Sequence, residues 1–256
     1  MVDGLWERAR RFGPLPASAL GVGAPPNLPD GVAVWVAAQI DRVWAELGRP
    51  DPLVVVDVDA GDGARAQAVL GSRPQAGPAL RYVLVTDDPG IGSRLDLESS
   101  GLVLGPAVPS ADDDDPPGPP PGMGPLVAAL TDLPAGLDQA LILALGWLSR
   151  LPADRFVRRD GTWREVRRAV AGDHLVDLEV DAALPDPQDA FVDGDEYLDR
   201  RAARQWLARA VAAAGRGRVL VLDHLTPGAV AQLTTRRHPR AAFTRPFPHL
   251  VHLEWE

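Results

Sequence analysis

Between Gly31 and Leu47 the apolar residues Val32, Val36, Ile40, Val43, Trp44 and Leu47 recur at steps of three and four, and Gly48 and Pro50 end the run. That spacing predicts an amphipathic helix. Leu53-Val54-Val55-Val56 follows, a continuous β-branched run of the kind buried on both faces of a parallel sheet. After it come Asp57-Val58-Asp59-Ala60-Gly61-Asp62-Gly63 and a helix-compatible stretch from Ala64 to Leu70 that stops at Gly71. A second strand is predicted at Tyr82–Val85, running into Thr86-Asp87-Asp88, so that the two strands frame one β-α-β unit.

The same alternation continues downstream. Ala140–Ala144 reads as a third buried strand and Arg218–Asp223 as a fourth. Asp160-Gly161, set between Phe156-Val157 and Trp163, signals a hairpin over Arg155–Val166, and the alternating Leu175, Val176, Leu178 and Val180 add an antiparallel strand over His174–Val180. A helix is expected over Asp195–Ala214, with acids in its first turn, the stripe Leu198, Ala202, Trp206 and Ala210, and Gly215 as its stop. His249–Trp255 is strand-like. Buried strands alternating with helices predict one α/β domain over residues 1–256: a mostly parallel central sheet of Rossmann-like type, helices on both faces, and an antiparallel hairpin addition. Residues 1–30 read as an irregular N-terminal segment. Residues 110–125, with Asp112–Asp115 followed by prolines and glycines, read as an acidic surface loop.

Composition narrows the chemistry. The net charge of −9 supplies no basic field for a phosphate backbone, so nucleic acid is an unexpected partner. All 26 basic residues are arginine, which removes Schiff-base and phosphate-loop lysines, and the absence of cysteine removes thiolate nucleophiles and cysteine metal sites. His249 and His252, three apart on a strand, point to opposite faces, so no metal site is expected. No stretch has the length or apolarity of a membrane span or a signal peptide, which favours a cytoplasmic location.

The acids Asp57, Asp87 and Asp223 all fall at predicted strand ends, where open α/β sheets bind their ligands. Glycines after such a strand let a ligand approach the backbone, and the helix N-terminus behind them offers free N–H groups. A dinucleotide site wants Gly-x-Gly-x-x-Gly, which this chain lacks. The acidic-x-Gly-x-Gly-x-Gly pattern of S-adenosylmethionine enzymes fits better, through Asp57, Gly61 and Gly63.

Longer blocks carry a resemblance. Leu47-Gly48-Arg49-Pro50-Asp51-Pro52-Leu53 through Gly63, Ala79–Val85, Leu130-Thr131-Asp132-Leu133-Pro134, Trp147–Val157 and Trp163-Arg164-Glu165-Val166 resemble, in order and spacing, the MidA-like class I S-adenosylmethionine-dependent methyltransferases. The mitochondrial members of that family methylate an arginine of a respiratory complex I subunit. The resemblance implies a methyltransferase fold, S-adenosylmethionine as cofactor, and cofactor-binding positions at Asp57, Asp59, Gly61, Gly63 and Asp87. It also exposes departures. Asp59 stands where the family has the first glycine, Thr86 where it has glutamate, and Leu145, Gly146 and Ser149 where it has Asn, Glu and Asp facing the transfer site. Its N-terminal Phe-x-Thr-Ser block is replaced by Gly21-Val22-Gly23-Ala24-Pro25-Pro26. Methyl transfer to a guanidinium needs a nearby carboxylate to orient the nitrogen, and Asp223 is the catalytic candidate that topology leaves. Two readings follow: a family member with weakened or lost catalysis, working as a binding or regulatory partner of another protein or of a second copy, or an active methyltransferase acting on a protein arginine or a small molecule.

Overall fold

The computed structural model describes residues 28–87, 103–104, 126–172, 174–183, 193–225, 229, 233, 240–243, 247 and 250–255. In chain order the elements begin with α1 (Val32–Glu46), β1 (Leu53–Val58), α2 (Ala64–Gly71), β2 (Leu80–Val85), β3 (Val103–Leu104), β4 (Leu126–Leu130) and β5 (Ala140–Leu145). Next come β6 (Asp154–Arg159), β7 (Thr162–Ala171), β8 (His174–Asp181), β9 (Glu196–Asp199) and α3 (Arg201–Ala214). The chain closes with β10 (Arg218–Asp223), β11 (Arg240–Phe243) and β12 (Val251–Trp255). Two compact units interleave along it, one built mainly on Ser149–Leu207 and the other on Pro26–Leu148, Ala208–His224 and the strands after Arg236.

The second of these units holds an eight-stranded sheet in the order β11-β12-β10-β5-β1-β2-β4-β3. The ladders from β3 through β10 are parallel, and β12 runs antiparallel to β10. Chain order runs outward from β1 to β2 in one direction and from β5 to β10 in the other, so the topological switch lies between β1 and β5. Ligands of open α/β sheets bind at that point, beyond the strand carboxyl ends. Every residue of β1 and β5 is buried, as the unbroken apolar runs predict for central strands. Leu53 and Val55 of β1, Tyr82 and Leu84 of β2 and Leu141 and Leu143 of β5 share one core with Val36, Ile40 and Val43 of α1 and Val69 of α2. Period-two alternation puts Asp57 on that same face, toward the helices and not toward solvent. The buried Glu254 of β12 ties α1 to the sheet, accepting from Arg42 Nη2 at 2.7 Å with Arg218 Nε at 3.6 Å.

The other unit carries a four-stranded antiparallel sheet, β8-β7-β6-β9, whose hairpin turns on Asp160 (φ 50°) and Gly161 (φ 74°) as the Asp-Gly pair predicts. On one face of it Arg155, Arg159, Arg164 and Arg168 interleave with Asp177, Glu179, Asp181 and Glu196 in exposed ion pairs. On the other face Phe156 packs with Tyr197, backed by Trp163.

The helix expected over Asp195–Ala214 is corrected. Its first part is the strand β9, and α3 begins only at Arg201. Tyr197 and Asp199 are buried while Glu196 and Leu198 are exposed, a two-residue period that competes successfully with the helical stripe once Tyr197 can pack on Phe156. The buried face of α3 is consequently Ala203, Trp206, Leu207, Ala210 and Ala213, and Leu198 lies outside it. β3, β4 and β11 are additions to the elements read from the sequence. The acidic loop and His249 lie outside the described residues.

Candidate functional site

At the switch point the chain leaves β1 through a turn with three left-handed residues, Asp59 (φ 57°), Gly61 (φ 59°) and Gly63 (φ 80°). These are the three glycine positions of the pattern noted above. Asp59 adopts the glycine conformation without being glycine, which aspartate does at lower cost than most residues. The turn is tied down by Ala60 N–H donating to Val85 O at 3.0 Å and Gly63 N–H donating to Ala60 O at 3.1 Å. Asp62 Oδ1 accepts from Ala64 N–H at 3.1 Å, so one of the first N–H groups of α2 is already satisfied by the chain.

The acid of β1 is also used internally. The Asp57 carboxylate is fully buried and accepts from Arg65 Nη2 at 2.6 Å through Oδ1, and from Arg65 Nε and the Tyr82 hydroxyl, both at 3.1 Å, through Oδ2. Arg65 Nη2 is shared with the carbonyls of Val58 at 3.2 Å and Asp59 at 3.1 Å. Burial works to lower the pKa of Arg65, but pairing with Asp57 outweighs it, and the guanidinium is held more firmly protonated than in water. Burial, reinforced by the Asp57 charge, pushes the Tyr82 hydroxyl well above its ordinary value of 10.0. Sequence reasoning missed both partners of Asp57. Their signals were an arginine beside the buried Ala66 of α2, and a lone hydroxyl in the aliphatic strand Leu80–Val85.

At the end of β2, Thr86 is buried, its hydroxyl donates to Gly61 O at 3.2 Å and its N–H to Leu130 O at 2.9 Å, while Asp87 beyond it is exposed. Where the family places its polar trio, Leu145 is 2% exposed within the core. Gly146 has φ 68° and donates to Leu222 O at 2.8 Å, a left-handed position where a glutamate would be strained. Asp223 ends β10 fully buried, and its Oδ1 accepts from the His224 N–H at 2.7 Å, the strand-end capping role. The turn thus brings Asp59, Gly61, Gly63 and Thr86 together. Asp57 lies one layer inward, and Asp87 on the surface.

A hollow of about 380 Å³ lies elsewhere in this unit, between the β4–β5 connection at Asp132, Leu133 and Pro134 and the α3 residues Arg209, Ala212 and Ala213. None of the sequence-derived site residues lines it. Among the described residues, no group of three His, Cys, Asp or Glu side chains could hold a metal ion. No helix among them is long and apolar enough to cross a membrane. His252 stands edge-on to Trp35 at 5.2 Å, and burial lowers its pKa, so the ring is held neutral and packed.

No protein-family model matches this sequence, and no curated protein does. Among the solved structures that match, two with TM-scores above 0.6 share the fold. An uncharacterised COG1565 superfamily protein from Burkholderia thailandensis matches with a TM-score of 0.64 at 20% identity, over 88% of this chain and 61% of that one. A second COG1565 superfamily member from the same organism, described as a likely methyl transferase bound to S-adenosyl-homocysteine, matches with a TM-score of 0.62 at 15% identity, over 98% of this chain and 71% of that one. The chain therefore spans about two thirds of the length of the proteins it resembles. It has the Rossmann-like fold of the class I S-adenosylmethionine-dependent methyltransferases, with a mostly parallel sheet and an added antiparallel sheet.

Proposed function

We propose that the chain is a divergent member of the MidA-like methyltransferases in which methyl transfer is weakened or lost, and that it works as a binding or regulatory partner of another protein or of a second copy. The observation carrying this reading is the internal use of the site's polar groups. Asp57 is engaged by Arg65 and Tyr82, Thr86 by Gly61, and Asp223 by a backbone N–H. Asp59 adds a carboxylate where the methionyl carboxylate of S-adenosylmethionine would have to approach, and like charges repel. The residues present fit the cofactor in backbone shape but not in chemistry.

Calorimetry with S-adenosylmethionine tests the proposal. Millimolar or absent binding is expected, and micromolar binding that Asp87→Ala weakens overturns it. One observation favours the second reading, an active methyltransferase with a protein arginine or small molecule as acceptor: residues 59, 61 and 63 keep the left-handed backbone. If the carboxylate of Asp59 is the obstruction, Asp59→Gly strengthens binding at least about tenfold, since relieving a like-charge contact is worth 1.4 kcal/mol or more.

A further inference from the structure

Asp57 is fully buried, whereas the Arg65 side chain is 19% exposed and lies over it as the second residue of α2. One guanidinium spans the carboxylate, the last carbonyl of β1 and the carbonyl of Asp59, thereby linking strand, turn and helix. A buried carboxylate retains a counter-ion, because leaving it uncompensated costs far more than the pair contributes. Here the counter-ion is covalently tethered, so a free ligand carrying an ammonium, sulfonium or guanidinium group competes against a very high effective concentration.

We propose that Arg65 is an autoinhibitory latch on this site: its guanidinium occupies Asp57 and the carbonyls of Val58 and Asp59, and so withholds the acid from any cationic ligand. The inference deepens the reading of lost catalysis and rests on it in taking the turn for a former cofactor site. Removing the guanidinium leaves the Asp57 carboxylate and the carbonyls of Val58 and Asp59 without the donor they share.

The test compares wild type with Arg65→Ala in two measurements. Arg65→Ala is expected to melt lower than wild type and to regain stability in millimolar guanidinium chloride but not in equimolar sodium chloride. It is also expected to bind S-adenosylmethionine at least about tenfold more tightly by calorimetry. A folded Arg65→Ala variant that lacks either response overturns the latch. Should that variant not fold, Arg65→Gln, which keeps a donor toward Asp57 without the charge, is held to the same affinity criterion. If neither folds, the latch is overturned, because the pair then serves stability. Micromolar binding by the wild type that Asp87→Ala weakens overturns the reading of lost catalysis but not the latch, which is judged on the ratio of variant to wild type.

Discussion

Replacing Tyr82 with phenylalanine isolates the buried triad, because the chain contains no lysine and no cysteine and only two tyrosines. In the alkaline range below the titration of arginine, Tyr82 and Tyr197 are the only side chains that can lose a proton. The folded pKa of Tyr82 is raised well above 10.0, through burial and the neighbouring Asp57 charge. In the unfolded chain the same hydroxyl titrates at its ordinary value. A group whose folded pKa is raised contributes stability that is fully present below the unfolded pKa and is lost as pH rises above it. That loss is about 1.4 kcal/mol per pH unit for as long as the folded hydroxyl stays protonated. At neutral pH, Tyr82→Phe gives up a hydrogen bond to a buried carboxylate, worth about 1.5–3 kcal/mol. Urea unfolding of both proteins from pH 7 to 12 should therefore show the wild type more stable by that amount at pH 7. The gap should narrow above pH 10. Tyr197→Phe serves as the control for the other tyrosine. A difference that stays constant across this range refutes the reasoning, since the hydroxyl would then titrate alike in both states.

The Asp57–Arg65 pair should behave as a unit. Asp57→Asn or Arg65→Met alone is expected to cost about 3–5 kcal/mol, and the double variant much less than their sum, a coupling that a double-mutant cycle in urea measures. Gly217→Ala should destabilise by about 3 kcal/mol or more, or prevent folding, because its Cβ would lie 1.9 Å from the Ala140 carbonyl oxygen; thermal unfolding reads this directly. The exposed Arg216–Asp138 pair, although bidentate, should by contrast leave the melting temperature almost unchanged when Asp138 becomes alanine.

Much of the fold was legible along the chain. Four central strands, the helix before the first of them and the Asp160-Gly161 hairpin followed from local rules of period and turn chemistry, which act over a few residues and need no partner. β9 was not legible, because Glu196–Asp199 satisfies a helical and a strand period at once and only the presence of Phe156 and β6 alongside decides between them. The site divides in the same way. Sequence determined which residues stand in the turn. Only the tertiary structure decided that Asp57 faces inward and meets Arg65, eight positions away, and Tyr82 from the neighbouring strand. That contact depends on the β1–β2 register, with Val55 opposite Tyr82, and on the pitch of α2. The aspartate at the first strand end reads the same in sequence whether it is offered to a ligand or paired with an arginine, because the difference lies in which side chain the helix after the turn lays over it.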